Sequence, residues 1–327
     1  MLSFINKHSA PLLMVAGIIG FIFPNVSKTV FPALPFILFF LMLFTLLGIK
    51  QEQLIKQLIR GSVWGYACLH SIGLTLIAAS ILWLLNAPTS LFIAVTAVTA
   101  TGTLFATPAI AKTLGYDVLH AMALTIASTL MMPLVLFINL TLLQDDAVKL
   151  DLVEYIQRLV IFIIGPMAIS SICYNTINRE KLVYIHGQLS KFTVLLIFAF
   201  PLGLVSPLRE MFNRSFNDGL YYLMLGMLLC VVFFTVTFLC YYRYNKANAT
   251  LFAITATNRN VLLTYTIASS YLGTEYLALM AAIQIPTYAL PVIVKARARL
   301  KPITKHRAQK SRITYSSRMS YSAFTVN

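Results

Sequence analysis

Residues 248–271 read NATLFAITATNRNVLLTYTIASSY, a segment long and apolar enough to lie in a membrane, with an arginine at its middle. Placing a guanidinium at mid-membrane costs from ~3 kcal/mol on insertion scales to above ~10 kcal/mol in simulations. Something must offset that cost, and the segment holds no Asp or Glu to do so. Arg259 is flanked instead by Asn258 and Asn260, while Thr255, Thr257, Thr264 and Thr266 extend a polar stripe. Asn and Thr side chains bond freed backbone groups, so this composition predicts a locally unwound helix. Two functional roles follow for Arg259: it pairs with the carboxylate of an organic anion, or it permanently replaces a coupling cation. The alternative is a structural arginine bonded to carbonyls of a neighbouring helix or reaching one membrane face.

The rest of the chain confirms the lipid setting. Of 327 residues, 59% are hydrophobic and 11% charged, against ~25% charged in soluble domains, which excludes a water-soluble fold. All ten acids fall in or beside polar breaks between apolar runs, so no carboxylate is forced into hydrocarbon. With ~20 apolar residues needed per crossing, ten candidate spans emerge, near 9–25, 33–49, 63–85, 90–113, 117–143, 153–175, 188–206, 219–242, 248–271 and 276–296. The expected fold is an all-α polytopic membrane domain over residues 1–300, followed by a basic tail over 301–327. The first apolar run, Pro11 to Phe23, is read as a span and not as a cleavable leader.

Lys and Arg resist translocation and so report orientation. With both termini cytoplasmic, the inside segments hold Lys7, Lys50, Lys56, Arg60, Lys112, Arg179, Lys181, Lys191, Arg243, Lys246 and nine residues from Lys295 to Arg318. The outside loops hold only Lys28, Lys149, Arg158, Arg209 and Arg214, which leaves Arg259 alone in the lipid-spanning region. The net charge of +15 is therefore concentrated in the tail. Its Ser, Tyr and Arg richness predicts disorder and contact with anionic lipid, and without a base-reading module no nucleic-acid partner is expected. Cys68, Cys173, Cys230 and Cys240 stand singly and read as buried small hydrophobes.

The fourth segment matches the ninth in character. It carries Thr99, Thr101, Gly102 and Thr103, then Thr107-Pro108 with Lys112 and Gly115 behind. Pro108 lacks an N–H and clashes with the carbonyl four residues back, which predicts a break near 103–108. Interrupted segments at corresponding places in two halves point to an inverted-repeat transporter with its site at the repeat interface. Two kinked helices in an unrelated bundle are the alternative. In the third segment, His70 is placed to carry a coupling proton or to bond neutrally between helices. His120 reads as interfacial.

These features resemble the bile acid:sodium symporter family over roughly residues 9–296. The resemblance rests on ten spans, Pro11-Leu12-Leu13 followed by Gly17 and Pro24, the Thr-rich fourth segment closing at Gly115, Ser128-Thr129 with Pro133 in the fifth, and Asn260 in the ninth. It implies two inverted five-helix repeats, about 9–143 and 153–296, with broken fourth and ninth helices crossing at the centre. It also implies a panel of helices 1, 2, 6 and 7 and a core of helices 3–5 and 8–10. Where sodium-coupled members carry Glu and Gln in the ninth helix, Thr255 and Arg259 stand here, and Asn260 agrees. Ala106-Thr107 replaces a Ser-Asn pair at the fourth-helix break, and His70 replaces a third-helix Gln. Thr125 and Ser128 remain from the first sodium site. Two unit charges ~5 Å apart at an effective dielectric of ~20 repel by about 3 kcal/mol, so a fixed arginine opposes sodium.

The expected function is secondary active transport of a small organic anion by alternating access, without the usual two-sodium coupling. Arg259, Asn258, Asn260, Thr103, Thr107 and Pro108 are the expected substrate-binding residues. His70, Thr125, Ser128, Thr255 and Thr257 are candidates for coupling to a proton, or to sodium if it binds; exchange of anions or no coupling are the other options. No cofactor or metal centre is expected, and the location implied is the cell (inner) membrane. A receptor or sensor on a transporter fold is the alternative. A membrane-embedded lipid or prenyl transferase, which needs acidic metal ligands or an activated nucleophile, is the weaker one.

Overall fold

Membrane hydrocarbon offers no water to backbone N–H and C=O groups, so a spanning chain must satisfy them internally, and a helix does so within one segment. The computed structural model describes residues 9–143, 151–243 and 246–300, and among these every extended regular element is helical. The expectations placed on Lys7, Asp145, Asp146, Lys149 and the 301–327 tail lie outside the described residues. Among the described residues, those up to Pro291 form one compact unit, and the end of the last helix, from Val292, is assigned to a second.

In chain order the helices are α1 (Ser9–Ile22), α2 (Pro24–Leu47), α3 (Gln51–Leu58), α4 (Gly61–Leu84), α5 (Thr89–Ala100) and α6 (Thr107–Thr113). They continue as α7 (Val118–Leu143), α8 (Leu152–Thr176), α9 (Arg179–Leu204), α10 (Ser206–Arg214), α11 (Phe216–Tyr242), α12 (Lys246–Thr257), α13 (Val261–Ala268) and α14 (Thr274–Leu300). Seven helical stretches are long and apolar enough to cross a bilayer: α2, α4, α7, α8, α9 running on into α10, α11 and α14. The protein is thus a helical membrane protein. Of the ten expected spans, those outside this set are the first, fourth and ninth. Helix α1 has 14 residues, and the other two are interrupted into α5 with α6 and α12 with α13, each piece short of the ~20 residues a crossing takes.

Two boundaries differ from expectation for a physical reason. Helix α2 starts at Pro24 and not near 33, because proline is pre-shaped for a first helical turn and needs no N–H there. Helix α9 starts at Arg179, nine residues before the expected 188, capped by the Asn178 side chain accepting from the Glu180 N–H at 2.9 Å. Polar residues at a helix start outside the hydrocarbon lengthen the helix without changing the apolar run.

Close packing depends on small residues, which let helices approach without lipid between them. At Gly20 of α1 an added Cβ would sit 2.3 Å from the Leu202 carbonyl oxygen of α9. Nearby, buried Ser27 of α2 joins the bend between α9 and α10. Its hydroxyl donates to the Gly203 carbonyl at 2.9 Å and accepts from the Ser206 N–H at 3.1 Å. Ser27→Ala removes both partners at once, leaving a buried donor and acceptor unpaired at ~1–3 kcal/mol each. A fall in thermal midpoint for Ser27→Ala, with the helical signal of the native protein unchanged, is the expected result.

Each ion pair joins residues that the charge bias assigns to one and the same side. Lys28 pairs with Glu210 at 2.9 Å, both assigned outside, and Arg179 pairs with Glu52 at 2.7 Å, both assigned inside. Arg158 pairs with Glu154 one turn away on α8. The cysteines correct the reading of buried hydrophobes: only Cys230 is buried, Cys173 is partly exposed, and Cys68 and Cys240 are exposed. On helices surrounded by lipid, an apolar exposed position is as well satisfied as a buried one, so hydrophobicity does not report which way it faces.

Candidate functional site

The interruption between α5 and α6 spans residues 101–106, and that between α12 and α13 spans residues 258–260. The Leu104 N–H donates to the Asn258 carbonyl and the Asn260 N–H to the Gly102 carbonyl, each at 2.8 Å, so Thr103 and Arg259 face each other in an antiparallel bridge. Each break supplies the hydrogen bonds that the other lost by unwinding. Pro108 does not cause the first break. It occupies the opening turn of α6, where a missing N–H is harmless. Asn260 opens α13 in the same way, its side-chain oxygen accepting from the Leu263 N–H at 3.4 Å.

Arg259 is fully buried at this bridge. One guanidinium nitrogen, Nη1, donates to the Thr99 carbonyl at 2.6 Å and the Thr101 carbonyl at 3.0 Å. Nη2 donates to the His70 carbonyl at 3.1 Å, and the Phe233 ring of α11 lies 4.3 Å from Cζ. Nε has no partner. The structural role kept open by the sequence is therefore occupied: the side chain is bonded to carbonyls of neighbouring elements, and it lines none of the principal cavities among the described residues. What holds it is a set of neutral oxygens converging on one positive charge, as oxygens converge on a bare cation.

His70 stands in a π-helical turn, Cys68–Gly73, within α4, a wider turn of the kind often found at functional positions. Its Nε2 lies 2.9 Å from the Thr101 carbonyl, which can only accept, so Nε2 carries the proton and Nδ1 accepts from the Tyr66 hydroxyl at 3.0 Å. The Tyr66 oxygen is in turn 3.4 Å from Thr103 Oγ1. Ser128 Oγ lies 3.0 Å from Thr103 Oγ1 and accepts from the Thr103 N–H at 3.1 Å, while the Thr255 carbonyl is 3.3 Å from Thr103 Oγ1. One connected network thus gathers His70, Thr103, Ser128 and Thr255 with Arg259. Thr125, Thr255 and Thr257 each donate to the carbonyl four residues back, at 2.9, 2.7 and 2.8 Å, which leaves their oxygen lone pairs free.

Around the bridge several fully buried polar atoms lack partners: both amide atoms of Asn258, Nδ2 of Asn260, and the hydroxyls of Thr107 and Thr129. Such groups cost ~1–3 kcal/mol each if left alone. They are the side-chain atoms at this crossing whose hydrogen-bonding capacity is unused. Among the described residues no three His, Cys, Asp or Glu side chains group as metal ligands do. Thr99 and Thr101, read from sequence only as part of the interrupted segment, enter the site through their carbonyls, and Tyr66 and Phe233 enter it beside them. Tyr66 has a sequence signal, one helical turn before His70; a set of carbonyl acceptors and a phenylalanine among 22 have none. No family model matches this chain, and no curated protein matches it.

Proposed function

We propose that this protein is a secondary active transporter of a small organic anion, of the kind the bile acid:sodium symporter resemblance implies, in which Arg259 stands permanently where a coupling cation would otherwise bind. The reading takes the fourth and ninth segments as the broken helices of two inverted five-helix repeats, ten spans in all, with both termini cytoplasmic. The observation that carries it is a guanidinium held by the Thr99, Thr101 and His70 carbonyls at the meeting point of two interrupted helices, with no carboxylate among its partners. A net positive charge there lowers the cost of bringing an anion to mid-membrane and raises the cost of bringing sodium.

The anion does not need to touch the guanidinium. Asn258, Asn260 and Thr107 offer unpartnered polar atoms beside it, and the carboxylate binds to these within the field of the fixed charge. Movement of the panel helices past the core then exposes that site to each side in turn. A proton added to His70 would place a second positive charge on a carbonyl already shared with Arg259. Anion exchange, or movement down a gradient, is favoured over proton coupling for that reason. A receptor of the same fold is the second reading, favoured by the sealed state of the crossing.

The test is uptake of radiolabelled small carboxylates into vesicles holding the purified protein, with and without a sodium gradient and with carboxylate preloaded inside. Uptake that ignores sodium, rises with preloading, is abolished in Arg259→Ala and persists in part in Arg259→Lys is expected. Full activity in both variants removes Arg259 from the mechanism, and binding without flux selects the receptor.

A further inference from the structure

The start of α8 carries Asp151, Glu154, Tyr155 and Arg158, whose spacing puts them on one helical face. Each of them bonds outside α8. Arg158 Nη1 donates to the Thr266 carbonyl at 3.2 Å and to the Ser269 hydroxyl, while Nη2 donates to the Glu154 carboxylate. Glu154 in turn accepts from the Ser270 hydroxyl at 3.4 Å. The Asp151 N–H donates to the Tyr271 hydroxyl at 2.5 Å, and the Tyr155 hydroxyl to the Pro133 carbonyl of α7 at 2.7 Å. Thr266 belongs to the last turn of α13, and Ser269–Tyr271 is the short 3-10 turn that follows it. This face of α8 therefore closes over the end of the segment that carries Arg259, and the exposed carbonyls of a helix C-terminus favour the cation set against them.

Two features make this a contact that can part. The Arg158 and Glu154 side chains are 27% and 36% exposed, so water can take over their bonds at small cost. Tyr155, 3% exposed, is the tie that keeps the closed arrangement favoured when water reaches the others. Directly after the tied face, α8 leaves regular helix. Val160–Ile164 is a π-helical turn in which the Gly165 N–H donates to the Val160 carbonyl, five residues back. Pro166 follows and has no N–H to offer the Phe162 carbonyl. A π turn beside a proline is where a helix bends, and a permanent brace gains nothing from one. We infer that the start of α8 is a hinged latch: bonded to the end of α13 it closes the outer side of the helix crossing, and by swinging at Val160–Pro166 it opens that side. Its use as an outer gate rests on the transport reading above; its opening does not.

Hydrogen exchange of the full chain in lipid nanodiscs, read by mass spectrometry, tests the opening without transport. In Arg158→Ala, peptides covering 151–164 and 266–271 should exchange about tenfold faster, the effect of losing a hydrogen bond from a charged donor. Peptides covering 101–106 and 258–260, which Arg158 does not touch, should speed up with them, because an open latch admits water to the crossing. Faster exchange confined to the peptides around Arg158 means a local brace and overturns the latch, as does exchange equal to that of the natural protein. Arg158→Lys, which keeps the charge and one donor, decides the matter if the alanine variant does not fold: a smaller rise at the crossing is expected, and no rise there overturns the latch. Glu154→Cys combined with Ser270→Cys and joined by a short bifunctional thiol reagent should lose carboxylate uptake into vesicles and regain it on reduction, while the single-cysteine variants ignore the reagent. Uptake undiminished by the cross-link overturns the latch. No uptake by the natural protein, with the exchange pattern as expected, sinks the transport reading and leaves the latch standing.

Discussion

Arg259→Ala should lower the thermal midpoint of the purified protein by roughly 4 °C or more, and millimolar guanidinium should restore part of the loss. Three hydrogen bonds from a charged donor contribute ~1.5–3 kcal/mol each, and the ring beneath the guanidinium adds up to ~2 kcal/mol. Against these stands the desolvation of the charge, ~3 kcal/mol on insertion scales, which truncation relieves. The balance favours the arginine by roughly 2–8 kcal/mol, and a loss near ~3 kcal/mol corresponds to about 4 °C in a chain of 327 residues. The cage itself survives the substitution, because Thr99, Thr101 and His70 offer backbone atoms that no side-chain change removes. Free guanidinium therefore finds the same three oxygens and the Phe233 face. Arg259→Met separates charge from volume: it fills the space but leaves the carbonyls unpaired, so it should be as unstable as alanine and rescued less. A variant as stable as the natural protein, with no response to guanidinium, would show that the carbonyls are satisfied without Arg259.

The place of this arginine was legible because membrane segments rarely carry a charge, so a single one stands out against its neighbours. Its partners were not, because every residue has a carbonyl and nothing in a side chain marks which ones will converge. The same reason explains why the polar, Thr-rich composition of 99–107 foretold an interruption while Pro108 misplaced it. Threonine and glycine reported the loss of regular backbone, whereas the proline marked the start of the next helix. His70 was singled out as an isolated imidazole in lipid. The role of its carbonyl as an acceptor from Arg259 depends on the π-helical turn at Cys68–Gly73, which hydrophobic periodicity does not reveal. The buried amide of Gln284 escaped notice because it reads as a mild polar spot in a long apolar helix. Only packing shows that its amide oxygen has nothing to bond.

Gly102→Ala should be among the most damaging single-methyl changes in the protein. Gly102 lies in the first interruption, and an added Cβ there would meet Thr129 of α7 at 2.8 Å from Cα, 3.0 Å from the backbone nitrogen and 2.9 Å from Oγ1. Two of those three atoms are backbone inside a long buried helix, so no rotamer change relieves the contact. Either α7 or the bridge must move. The Gly102 carbonyl accepts from the Asn260 N–H, so a shift of the bridge also breaks the bond that places Asn260 at the start of α13 and Arg259 under its three carbonyls. Overpacking alone costs ~1–3 kcal/mol, and the unpaired Asn260 donor adds ~1–3 kcal/mol. Thr129→Ala, which removes Oγ1 but leaves the backbone in place, should not rescue Gly102→Ala in a double variant, whereas a clash limited to side chains would be rescued. Thermal unfolding of the two single variants and the double distinguishes these cases, and recovery in the double would mean that the crossing tolerates a Cβ and is not fixed against α7 by its backbone.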